Sequence, residues 1–328
     1  MELLNDRIRE QLIADILAGR FSPGGRFPTE QETAERFNAS RVTVRSAYGA
    51  LEQAGIIIRR KRSGTTVADT FNNVGEEIRT VAAVVPLRDP FARVFLETFC
   101  SEAAERNAMV LLEPDSSDGN AQNRAIFRLA ANGVRNLVVW GLDRRLDFEL
   151  VTRLRVLGVS LIFFDRILPG EVADYVGLDN RDAIRALLDA ARADGFDRFA
   201  YFDTALDVDS NRERRKAFLE FSGEPKSSVV EITSPQDIAK FFRAEDRKAI
   251  LCVNDPLALT AAPLLPPGCR LYSVDGTAEA LASGIVSYRQ PMRKMAAACF
   301  SALEKQRRSG ANWKAGERRF SGEVLRPC

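Results

Sequence analysis

The 328-residue chain has no histidine. It therefore lacks the commonest general acid/base, the commonest metal ligand and the imidazole of nucleophilic triads, which weighs against hydrolytic and zinc chemistry. Cysteine is scarce. Cys100, Cys252, Cys269, Cys299 and Cys328 are odd in number, scattered and never spaced as a close pair, so neither a disulfide framework nor a metal knuckle is expected. No apolar run approaches the roughly 18 residues of a membrane helix. The opening MELLNDRIREQL breaks its apolar positions with charge at every turn, unlike a secretion signal. A cytoplasmic location is expected, with no membrane partner and no cofactor. A surplus of one charge is also missing: 47 basic residues face 45 acidic ones, so any basic function must be local. At 45% hydrophobic and 28% charged, the chain has the composition of a globular protein of two or more domains.

The local excess lies near the amino terminus. Between Arg36 and Arg62 stand seven positive residues, with Glu52 the sole acid. Leu4, Ile8, Leu12 and Ile16 recur at helical spacing, and Gly19 is placed to stop that helix. After the turn-rich Ser22-Pro23-Gly24-Gly25, Thr29 and Glu32 form a capping box for a short second helix ending at Phe37. Ser40 caps a third helix with the apolar stripe Val44, Ala47, Tyr48 and Leu51, which Gly55 ends. Arg41 and Arg45 lie off the stripe, one turn apart. Ile56-Ile57-Ile58 runs through Arg59-Arg60-Lys61-Arg62-Ser63-Gly64 into Thr65-Thr66-Val67, two strands with a basic tip. An arginine pair on a helix is by itself an ordinary solvated face, and a basic run an ordinary loop. Here a helix, a tight turn and a helix with exposed arginines stand in the order that enters a major groove, followed by a wing able to follow the backbone. Glu30, Glu32 and Glu35 read as caps or solvent residues.

The run LAGRFSPGGRFPTEQETAERFNASRVTVRSAYGALEQAGIIIRRKRSGTTVAD resembles the winged helix-turn-helix of GntR-type transcription regulators. The resemblance implies that Arg41, Thr43 and Arg45 contact DNA. Ser40 stands at the start of that helix, Arg60, Arg62 and Gly64 on the wing, and Gln31 where many relatives carry arginine. It implies a double-stranded operator as partner.

Beyond a polar stretch from Thr70 to Glu77, short apolar runs alternate with amphipathic helices. Strands are expected at Val81 to Val85, Val110 to Leu112, Leu137 to Trp140, Leu161 to Phe164, Tyr175 to Leu178, Phe199 to Phe202, Val229 to Ile232, Ala249 to Val253 and Leu271 to Val274. This is the pattern of two parallel α/β halves. The expected organisation is a small α+β winged helix-turn-helix (1–69), a linker (70–79) and a two-lobed α/β domain with parallel sheets (80–328). Ligands bind beyond the carboxyl ends of such strands. Those ends carry Arg88-Asp89, Trp140, Asp165-Arg166, Asn254-Asp255 and Asp275, a set that suits a polyhydroxylated ligand.

The same stretch resembles the effector domain of LacI-type repressors and the type I periplasmic sugar-binding proteins. Phe-Asp-Arg at 164–166, Gly-Leu-Asp-Asn at 177–180, Arg214-x-x-Ala-Phe, Val-Asn-Asp at 253–255, Val-Asp-Gly at 274–276 and Tyr-Arg-Gln-Pro at 288–291 carry it. The pairing of the two parts resembles the arabinose-repressor arrangement. By resemblance Asp165, Arg214, Asn254 and Asp275 bind a small-molecule effector, a sugar or derivative, with Asp89 and Trp140 as wall residues. Asp255 and Asp179-Asn180 read as helix caps, Met292, Met295, Cys299, Phe300 and Leu303 as packing, and Cys252 as an inert buried thiol. The expected function is a homodimeric, ligand-responsive repressor of carbohydrate uptake or catabolism genes, not an enzyme. The alternatives are a pyridoxal-phosphate enzyme of the GntR-fused aminotransferase type, which needs a longer chain, and a transport solute-binding protein, which needs a secretion signal.

Overall fold

Helix α1 (Leu4–Leu17) buries Ile8, Leu12, Ile13 and Ile16, while Leu4, its first residue, is exposed. In this computed structural model the chain is described except for residues 1–3, 18–19, 23, 62, 69–76, 88–89, 115–118, 142–145, 157, 167–171, 244–245, 310–312 and 328. The expected stop at Gly19, Arg62, Asp89 and most of the polar stretch after residue 69 therefore lie outside the described residues. Helices α2 (Glu30–Phe37) and α3 (Arg41–Gln53) follow, and α3 buries Val44, Ala47, Tyr48 and Leu51 as its 3.6-residue period requires. Strands β1 (Ile57–Arg60) and β2 (Gly64–Val67) pair antiparallel, Ile57 opposite Val67 and Arg60 opposite Gly64. The result is a three-helix module with a two-stranded wing.

The remainder forms two lobes, each around a six-stranded sheet. In the first lobe β3 (Thr80–Val85), β4 (Met109–Pro114), β5 (Asn136–Val139), β6 (Ser160–Phe164) and β7 (Asp174–Leu178) are joined through α4 (Pro90–Glu105), α5 (Gly119–Ala131) and α6 (Phe148–Val156). All its pairings are parallel. Strands β3, β5 and β6 are near-continuous buried apolar runs because helices cover both faces, whereas Met109, Leu111 and Leu112 of the edge strand β4 are exposed. The second lobe contains α7 (Asn180–Ala193), β8 (Phe199–Thr204), α8 (Asp209–Ser222), β9 (Val229–Ile232), α9 (Pro235–Phe241), β10 (Ala249–Cys252), α10 (Asp255–Ala261), β11 (Arg270–Asp275), α11 (Ala278–Ala282) and β12 (Val286–Arg289).

Three further elements weave the lobes together. Helix α12 (Met292–Ser309) returns to the first lobe and buries Met292, Met295, Cys299, Phe300 and Leu303, the packing series expected. Strand β13 (Glu317–Phe320) joins β7 at the edge of the first sheet, and β14 (Glu323–Leu325) pairs antiparallel with β12 in the second. The chain thus crosses between lobes three times: β7 to α7, β12 to α12 and β13 to β14.

The amino-terminal module packs on the first lobe. One buried apolar cluster runs from Ile8, Leu12 and Leu51 to Ile126, Ala130, Val134 and Val151. Arg135, just before β5, donates from Nη1 to Ala130 O (2.9 Å) and Val134 O (3.3 Å) and from Nη2 to Ala54 O at the carboxyl end of α3. Burial pushes its guanidinium down to about 10, so it stays charged at neutral pH, where a cation suits a helix carboxyl terminus. Gly133 packs its backbone against Ala54, and its φ of +86° is the conformation that favours glycine there.

Candidate functional site

Two faces gather the residues singled out in the sequence. The first is the outer surface of α2, α3 and the wing. Thr29 and Glu32 close the expected box: Glu32 N donates to Thr29 Oγ1 (3.1 Å) and Thr29 N to Glu32 Oε2 (2.6 Å). The Thr29 backbone N–H, its hydroxyl and the Arg26 charge together hold the Glu32 carboxyl below the usual range. Ser40 caps α3, accepting from Thr43 N at 3.1 Å, and the Ser40 and Thr43 hydroxyls share a 2.8 Å hydrogen bond. Both residues therefore shape the start of α3. Tyr48, with its hydroxyl pushed up to about 12 by burial, donates to Pro28 O (2.7 Å) and meets the Thr33 hydroxyl (2.7 Å). This contact fixes the angle between α2 and α3.

On that frame Arg41 and Arg45 point outward and are exposed, one turn apart. Arg41 Nη2 donates to Gln31 Oε1 at 2.9 Å. Arg45 Nε donates to Glu30 Oε2 at 3.2 Å, and Arg59 Nη2 to Glu30 Oε1. Glu30 is therefore not a cap or a free solvent residue: its carboxylate joins the third helix to the wing. Arg60 is exposed at the end of β1, opposite Gly64, whose φ of +84° suits the tight wing tip.

The second face lies at the carboxyl ends of the lobe strands. Trp140 directly follows β5 and is buried, with Phe91, Phe95 and Phe164 edge-on to it at 6.2, 5.5 and 5.3 Å. Arg166 covers its ring at 5.3 Å. The Trp140 Nε1 is buried with no hydrogen-bond partner among the described residues. Asp165 and Arg166 end β6, both buried, with Arg166 Nε 3.8 Å from Asp165 Oδ2. Asp165 holds φ +63° and accepts at its carbonyl from the Tyr175 hydroxyl (3.0 Å).

In the second lobe Arg214 of α8 is buried, donating from Nε to Asn180 Oδ1 (2.8 Å) and from Nη1 to Val253 O (2.7 Å). Asn180 Nδ2 donates to Glu213 Oε2 (2.8 Å), and both Glu213 oxygens accept from Arg319 at 2.8 Å. Asp275 ends β11 at φ +135°, where its carboxylate accepts from Gln290 Nε2 (3.0 Å) and Asp255 N (3.3 Å). Arg214, Asn254 and Asp275 thus meet around the turn from β10 into α10.

Two capping expectations need correction. The α10 cap is Asn254, whose Oδ1 accepts from Leu257 N at 3.0 Å. Asp255 is instead fully buried, accepting from Ser287 Oγ (2.6 Å), Ser273 Oγ, Thr277 N (2.7 Å) and Thr277 Oγ1 (2.8 Å). Asp179 does cap α7, by accepting from Asp182 N at 2.9 Å, but Asn180 serves Arg214 and Glu213. Cys252 is buried inside β10, which pushes its thiol well above the usual range. Glu213 and Arg319 are neighbours of these residues that sequence reading passed over, while Asn180 and Glu30 were read there only as caps or solvent residues. Asn180 carried a signal in Gly-Leu-Asp-Asn, and Glu30 in the Pro-Thr-Glu that opens α2.

Among the described residues no helix is long and apolar enough to cross a membrane, and no group of three or more metal-binding side chains stands together. Residues 4–67 match the family described as bacterial regulatory proteins, gntR family. A helix-turn-helix-type transcriptional regulator of Mycobacterium tuberculosis is 40% identical over 80 residues, 24% of this chain and 30% of that protein. The arabinose metabolism transcriptional repressor of Geobacillus stearothermophilus is 23% identical over 134 residues, 40% of this chain and 37% of that one. The matched stretches thus span about a third of each relative's length. Among solved structures, the lac repressor dimer bound to operator and the anti-inducer ONPF superposes with a TM-score of 0.64 at 17% identity, covering 77% of this chain and 94% of that one. The complex of the transcriptional regulator CelR with cellobiose gives 0.64 at 18%, covering 92% and 99%. The amino-terminal module is a gntR-type helix-turn-helix, and the larger part has the fold of LacI-type and periplasmic-binding-protein-like domains.

Proposed function

We propose that the chain is a ligand-responsive DNA-binding regulator, a cytoplasmic repressor of carbohydrate uptake or catabolism genes. In this reading residues 1–69 read DNA, 70–79 link, and 80–328 bind the effector and dimerise. Two copies grip a pseudo-palindromic operator through Arg41, Thr43 and Arg45 of α3, the α3 start at Ser40, Gln31 of α2, and Arg60, Arg62 and Gly64 of the wing. A sugar or sugar derivative occupies the cleft between lobes, held by Asp165, Arg214, Asn254 and Asp275 and walled by Asp89 and Trp140. The cleft binds and does not catalyse.

The observation that carries this reading is the pair of exposed arginines one turn apart on α3, beside an antiparallel wing with a basic tip. A guanidinium in that position can reach guanine O6 and N7 together. The names of similar proteins support the choice of ligand class: the Geobacillus relative is an arabinose metabolism repressor, and the CelR structure contains cellobiose. Dimerisation follows from the few bases one module spans, since linking two modules multiplies affinity through effective concentration. Control by a ligand requires only that it bind the operator-competent and operator-incompetent forms unequally, typically by about 1–3 kcal/mol.

The test is selection of source-genome fragments on the purified full chain at near-physiological salt with competitor DNA, because unspecific basic binding is strongly salt-sensitive. Enrichment of a few palindromic sites supports the reading, and no enriched sequence overturns it. Calorimetric titration with a panel of pentoses, hexoses, disaccharides and uronates then tests the cleft, with Arg214→Ala as the variant expected to lose the heat.

A further inference from the structure

Resting on the α3 assignment above, we propose that Glu30 is a positioning residue that sets how sharply the module discriminates one DNA sequence from another. Three observations carry this. Glu30 is the first residue of α2, yet it takes no part in the cap, which Thr29 and Glu32 close between them. Its two carboxylate oxygens are divided between different elements, Oε2 to Arg45 Nε of α3 and Oε1 to Arg59 Nη2 of the wing. The carboxylate side chain is only 20% exposed, whereas that of Arg45 is 66% exposed, so the acid lies beneath the arginine and supports it from below.

The way Arg45 is held decides what it can do. Using Nε on Glu30 restrains the guanidinium while its Nη groups, which can pair bidentately with a purine, stay on an exposed side chain. An arginine fixed this way gives up less side-chain freedom when it meets a base. Arg59 also reaches Glu52, at 3.7 Å, so the wing is tied to α2 and α3 at once. Electrostatics adds a second effect. Glu30 offsets one positive charge on a surface that would otherwise attract any phosphate backbone, so its carboxylate lowers sequence-independent binding while sharpening base contact. Arg41 rests on the neutral Gln31, whose single amide oxygen serves one arginine, whereas the two oxygens of Glu30 bridge two.

The test compares the full-length wild type with Glu30→Gln, Arg45→Ala and the double variant. The probes are the duplex most enriched by the wild type from a random-sequence pool and the same duplex with its bases shuffled. In Glu30→Gln, affinity for the shuffled duplex should rise, the preference for the enriched duplex should fall about three- to tenfold, and the log–log salt slope should steepen by about one. In the Arg45→Ala background the same change should leave the preference unaltered, because the effect runs through Arg45. Thermal midpoints serve as the fold check. An enriched duplex with an unchanged preference in Glu30→Gln, or equal loss on both duplexes, overturns the inference alone. A wild type that enriches nothing overturns it together with the functional reading.

Discussion

A guanidinium has five N–H donors, and the division of those donors separates the arginines of this chain into kinds. Arg135 gives its donors to three backbone carbonyls and Arg214 gives two of its groups to Asn180 and Val253, while Arg41 and Arg45 each make one contact within the module and face solvent. Arg41→Ala and Arg45→Ala should each weaken operator binding by about 1–3 kcal/mol and relax preference at one base position, as read by competition binding against single-base variants. Equal losses across all variants would mean phosphate contact. Glu32 supplies a pH signature. Its carboxyl is held below its usual value, so its stabilising effect is complete above the unfolded value of about 4.3 and is lost as pH falls through the lowered folded value. The gap in thermal midpoint between wild type and Glu32→Gln should therefore be steady near neutrality and narrow as pH falls below the unfolded value of about 4.3. Asp165 and Asp275 end their strands with positive φ, at +63° and +135°. Such backbone costs about 1–3 kcal/mol for a non-glycine residue and persists where the surrounding structure holds it in place.

Among elements, the ones legible in sequence were those whose signal is local. The α3 stripe, both caps of the small module and nine lobe strands follow from periodicity and side-chain chemistry within a few residues. Strands β12, β13 and β14 were not legible. Val286–Arg289, Glu317–Phe320 and Glu323–Leu325 are three or four residues long; the edge strand β13 is mainly polar and the edge strand β14 has only two apolar residues, so neither an apolar run nor strict alternation announces them. Asn180 and Asp255 were misassigned for a related reason: a polar residue at a helix start is usually a cap, and only distant partners reveal another task. The candidate cleft was legible as a set of strand ends, not as a set of commitments such as Asn254 to α10 or Glu213 to Arg319. Asp255 shows how costly such distant ties are to break. It joins β11, β12 and α11 through four hydrogen bonds while fully buried. Asp255→Ala should cost about 3 kcal/mol or more in chemical denaturation, since four donors lose one acceptor. A loss below about 1 kcal/mol would mean that the hydroxyls find other acceptors.

At the scale of the whole molecule, the three crossings and the Arg319–Glu213 pair join the lobes, whereas Arg135 and a shared apolar cluster join the module to the first lobe. Arg135→Ala should leave the isolated features of each part intact but loosen their union. The expected result is faster amide exchange at the end of α3 and in the Gly133 turn, with a stability loss of about 1–3 kcal/mol. Unchanged exchange there would show that the apolar cluster suffices. The seating of the module has a mechanical corollary. Should a bound ligand turn the lobes about their crossings, the module would travel with the first lobe as a single lever arm, gearing the angle between the lobes to the bearing of α3. In the proposed dimer the spacing of two recognition helices would have to match about 34 Å of DNA, and a small swing at the crossings would be enlarged along the arm into a misfit of that spacing.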